Sequence, residues 1–181
     1  MTIYIVSGII RSGTSMMMAA LEAGGLEVVR LPERQTDQYN PSGIYQLPQK
    51  ELNTPDFPAH LDGKLIKVLH RQLSKVGPTD GISIVFMRRG AEESEQSARA
   101  FLRMPPPTTF EAENIIFDKI IAEFIARPDV ISADIFQYAD VINSPLMHFE
   151  ILKTHGWPID TELCAKIPKV QYRHFGGDNG K

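Results

Sequence analysis

Apolar positions along this chain fall into two kinds of run. Short stretches rich in β-branched and aromatic residues stand at 2–6, 26–31, 64–69, 81–87 and 130–136. Such runs, set off by Gly, Pro or Asp, predict strands. Longer stretches with helical spacing alternate with them. Residues 16–23, rich in Met, Ala and Leu, predict a helix stopped by Gly24-Gly25. Residues 70–76 predict a helical turn closed by Gly77-Pro78, and 91–103 a helix broken by Pro105-Pro106-Pro107. The longest helix spans 108–126. Thr108 and Glu111 are its expected capping box, and Ile115, Ile116, Phe117, Ile120, Ile121 and Phe124 its core residues. Helices at 145–155 and 161–167 follow the last strand.

One segment breaks the alternation. Residues 32–63 carry Pro32, Pro41, Pro48, Pro55 and Pro58, a turn at Asn40-Pro41-Ser42-Gly43 and a short helix at about 48–53. A connection of this length is either functional or a surface segment. Residues 174–181 form a polar tail.

Strands alternating with helices predict an α/β fold, with a central parallel sheet and helices on both faces. Ligands of such sheets bind beyond the carboxyl ends of the strands. Arg11, His70, Arg88, Arg89 and Tyr138 each follow a predicted strand, so one shared crevice is expected to collect them.

Composition narrows the classes. The chain has 181 residues, 43% hydrophobic and 23% charged, which suits one compact domain. A formal net charge of −3 argues against nucleic-acid binding by bulk charge. The single cysteine, Cys164, leaves no internal disulfide and no cysteine-built zinc site, and a reducing cytoplasm is expected. Met1 leads straight into a strand, so no signal peptide is expected, and no apolar run approaches membrane-spanning length.

The chemistry concentrates at the first turn. Ser7-Gly8-Ile9-Ile10-Arg11-Ser12-Gly13-Thr14-Ser15 joins a strand to a helix, with glycines five positions apart. Bare N–H groups at a helix N-terminus, with about half a positive charge, suit a phosphate-like anion. The nucleotide-hydrolase pattern G-x-x-x-x-G-K-[ST] is not met, because Thr14 stands where its lysine belongs. The basic residue lies inside the loop instead, at Arg11, whose planar fork fits two oxygens of a tetrahedral anion.

Arg11-Ser12-Gly13-Thr14-Ser15 resembles the phosphosulfate loop of sulfotransferases, [KR]-S-G-T-[ST]. The resemblance implies a three-layer P-loop fold. It implies 3′-phosphoadenosine 5′-phosphosulfate as sulfuryl donor, adenosine 3′,5′-bisphosphate as product, and a hydroxyl or amine of a small-molecule or carbohydrate acceptor. No metal is expected. Arg11, Ser12, Gly13, Thr14 and Ser15 would hold the 5′-phosphosulfate. Arg89, with Arg88 as register alternative, and Ser97 eight positions on are similar to the pair that holds the 3′-phosphate. Tyr138-Ala139-Asp140, ahead of Pro145, is similar to the segment beside the adenine, with Ala139 in place of its acidic residue. Lys67-Val68-Leu69-His70 is similar to a Lys-Thr-His segment, one residue longer. There Lys67 would contact the phosphosulfate and His70 would be the general base. Asp37, Glu51 and Asp62 are the other candidate bases. A P-loop kinase or nucleoside-triphosphate hydrolase, and a non-catalytic nucleotide-binding module, are the alternatives.

Overall fold

The computed structural model describes residues 2–30, 45, 52, 59–102 and 109–168. At its centre β1 (Ile3–Gly8) is buried along its whole length. That burial is why it reads as a continuous apolar run and not as an alternating one. β3 (Lys64–Leu69) pairs with one side of β1 and β4 (Ile82–Arg88) with the other. β2 (Glu27–Val28) lies outside β3, and β5 (Val130–Gln137) outside β4. All pairs are parallel, in the order β2-β3-β1-β4-β5.

Helices cover both faces, and the residues of β1 divide between them. Tyr4 and Val6 join Leu65, Val85 and Met87 in one core layer, under α1 (Thr14–Ala23). Ile3 and Ile5 join Ile66, Val68, Ile84 and Phe86 in the other. That second layer lies under α2 (Ala91–Leu102) and α3 (Phe110–Ile125). After β5 come α4 (Tyr138–Asn143), α5 (Pro145–Thr154) and α6 (Thr161–Ala165), which return to the α1 face. The architecture is therefore three-layered α/β. β1 connects toward β2 on one side, and β4 toward β5 on the other. Right-handed crossovers then send their helices to opposite faces and open a crevice between β1 and β4.

Several boundaries differ from expectation. β1 runs two residues further than predicted, and α1 starts at Thr14. Of the predicted strand at 26–31, only Glu27 and Val28 join the ladder, although Val29 N–H still donates to Leu65 O at 3.0 Å. The N-cap of α3 is Thr109, not Thr108; its side chain accepts from Ala112 N at 3.3 Å, so no glutamate closes a capping box. Ile115 is not a core residue: it is 71% exposed. Glu113 and Phe117 mark the buried stripe, and Ile115 lies two residues from each, about 200° around the helix. The turn and short helix expected within 32–44, 46–51 and 53–58, with Asp37 and Glu51, and the tail at 174–181 lie outside the described residues.

Candidate anion-binding site

The turn after β1 is shaped by close packing. Gly8 lies against its neighbour strand so tightly that a Cβ there would fall 2.7 Å from Met87 O. Ser12 N–H turns back to Ile9 O at 3.1 Å. Gly13, at φ 95°, is the N-cap of α1, and its missing Cβ leaves room for the Tyr138 ring. Arg11 has φ 67°, the only positive φ among the described non-glycine residues. No side chain caps α1, and its first turn carries no acidic residue. The buried Ser12 Oγ has no hydrogen-bond partner among the described residues. These are features of an anion cradle: oriented donors and no acid in the first turn of the helix.

Two cations converge on it. Lys67, opposite Val6 in the sheet, reaches the loop and donates from Nζ to Ser15 Oγ at 3.0 Å. Burial first, and then the Arg11 guanidinium, push its pKa from 10.5 down to about 8. No carboxylate among the described residues pairs with it. Arg11 Nε donates to Ser97 Oγ at 3.0 Å. Ser97 lies on α2, buried.

Arg89 completes the cluster. Its Nη1 donates to the carbonyl oxygen of Arg11 at 3.1 Å and its Nη2 to Glu93 Oε1 at 2.7 Å. The guanidinium sits over the Tyr138 ring, 4.4 Å from its centroid. The crevice thus gathers Arg11, Ser12, Gly13, Thr14, Ser15, Lys67, Arg89, Ser97 and Tyr138 from five separate stretches of chain. Tyr138 opens α4 and is buried between Gly13 and Arg89. Its ring braces the loop.

Three expected members are elsewhere. Arg88 shares its side of β4 with Phe86, so it turns to the α3 face, where it pairs with Asp118 and its guanidinium lies 5.6 Å from the Phe117 ring centroid. Of the two arginines, Arg89 is the one that contacts the loop. Lys67 shares the α1 face with Leu65, but His70 turns to α3: its Nε2 lies 2.8 Å from Glu113 Oε2, and its ring meets Phe117 edge-on at 5.6 Å. Burial lowers its pKa, against the pull of Glu113. Arg71 makes two more bonds to that carboxylate, at 2.7 and 3.1 Å. Asp62 accepts from Thr2 N at 2.7 Å, at the opposite end of β1 from the loop. Six residues of strand, about 20 Å, separate it from the crevice.

Glu93 and Glu113 were not anticipated. Glu93 carries the ordinary i,i+4 signal with Arg89. Glu113 betrays itself only as a carboxylate on the apolar stripe of α3. Among the described residues no group of three or more His, Cys, Asp or Glu side chains is arranged to hold a metal ion, and no helix is long and apolar enough to cross a membrane. No protein-family model matches the chain, and no curated protein matches it at a significant level.

Proposed function

We propose that the turn between β1 and α1 binds the phosphosulfate end of 3′-phosphoadenosine 5′-phosphosulfate, and that the protein transfers its sulfuryl group to a hydroxyl or amine. One observation carries the anion reading: the Lys67 ammonium lies beside Arg11, at an uncapped helix N-terminus, with no described carboxylate to balance it. A partly buried cation costs stability unless an anion arrives. The loop sequence and the placement of Arg11 outside the hydrolase pattern turn that anion toward a phosphosulfate.

In this reading the acceptor attacks sulfur and releases its proton to water, the bond from sulfur to the bridging oxygen breaks, and charge grows on that oxygen. Loop N–H groups from Gly13 to Ser15, with Arg11, hold the group in place, while Ser12 N–H is kept by Ile9 O. Lys67, with a pKa near 8, is mostly protonated at pH 7 and is suited to donating to the leaving oxygen. Donors aimed at developing charge are worth about 2.7–4 kcal/mol each in oxyanion sites. This reading gives His70 no part as base, because its Nε2 is engaged by Glu113.

Arg11→Ala tests the assignment. Transfer of sulfuryl from the donor is expected to be lost, with the circular dichroism spectrum unchanged. Activity retained in that variant removes Arg11 from the mechanism.

A further inference from the structure

We infer that Arg89 and Ser97 are positioning residues for Arg11, holding its backbone and its guanidinium in the shape that the loop presents to an anion. Arg11 adopts a left-handed conformation, φ 67°, which is unfavourable for a non-glycine residue. Such a conformation persists only when its surroundings enforce it. Arg89 Nη1 holds the Arg11 carbonyl oxygen, and Ser97 Oγ holds its Nε. Arg89 is fixed in turn by Glu93 and lies over Tyr138, whose ring fills the space left by Gly13. Ser97 is only 1% exposed. Arg89 Nη1 and Ser97 Oγ, two of the atoms expected to meet a second phosphate, are therefore engaged with the loop itself.

This inference deepens the proposed function and rests on it for the choice of nucleotide. Calorimetry on the full chain separates the two. The ligands are adenosine 3′,5′-bisphosphate, adenosine 5′-monophosphate and inorganic sulfate. The variants are Ser97→Ala, Ser97→Thr and Arg89→Lys. Positioning predicts that Ser97→Ala weakens all three ligands by the same factor, roughly tenfold, the worth of one charge-assisted hydrogen bond. Ser97→Thr, which keeps the hydroxyl, restores affinity, and the melting temperatures stay within a few degrees. Arg89→Lys repeats the uniform loss. Selective loss of the bisphosphate, down to the level of the monophosphate, overturns the inference and returns both residues to the 3′-phosphate. If neither nucleotide binds the unmodified protein, the nucleotide reading falls. The sulfate arm then decides: equal sulfate affinity in the unmodified protein and Ser97→Ala overturns the positioning role.

Discussion

Lys67 is the residue where stability and binding oppose one another. Its pKa in the folded chain, about 8, lies below the ordinary 10.5, so the unfolded chain binds the extra proton between those values. Stability therefore rises with pH across that window. Below about pH 8 the cost of keeping the charge is present in full; as pH climbs from about 8 to 10.5 it disappears. The amount is on the order of 2 kcal/mol, allowing for the part of the side chain that water reaches. Lys67→Met is expected to stabilise the free protein by about that much at pH 7 and to flatten the pH dependence in urea titrations. The same variant is expected to lose anion affinity. In the unmodified protein anion affinity falls as pH rises through about 8, because the ammonium loses its proton. A Lys67→Met protein that is less stable at pH 7 contradicts the unbalanced charge.

Among the elements, the turn between β1 and α1 depends most on a single small residue. Gly13→Ala combines a left-handed backbone with a collision against the Tyr138 ring. The expected loss is about 2–4 kcal/mol, from the conformational penalty and overpacking together. Urea unfolding measures it, and a loss below about 1 kcal/mol contradicts the packing of Tyr138 on the loop. The strand–turn–helix unit was legible because its signals are local: a β-branched run, two glycines and a helical stretch. β3 was read with its observed bounds for the same reason. α4 was not read, because six residues are too few to show a helical period. Its first residue, Tyr138, was placed in the crevice by its position after a strand. Its contacts with Gly13 and Arg89 were not legible, since they join residues far apart in sequence. The face taken by His70 was hidden likewise: one extra residue after Lys67 and a glutamate on α3 decide it, and the second lies 43 positions away.

For the molecule as a whole, the order β2-β3-β1-β4-β5 puts the oppositely directed connections of β1 and β4 side by side. All the gathered side chains belong to the rim of that one opening. The fold was legible from alternation alone, whereas the proposed ligand is argued from the loop. The central claim is that this opening is built for a sulfonucleotide and not for a magnesium-bound triphosphate. Thermal denaturation with adenosine 3′,5′-bisphosphate, set against ATP with Mg²⁺ at the same concentrations, tests it most directly. The account predicts stabilisation by the bisphosphate, about 2.7 kcal/mol at one hundred times its Kd, with little response to ATP and Mg²⁺. Stabilisation by ATP and Mg²⁺ with none from the bisphosphate contradicts it.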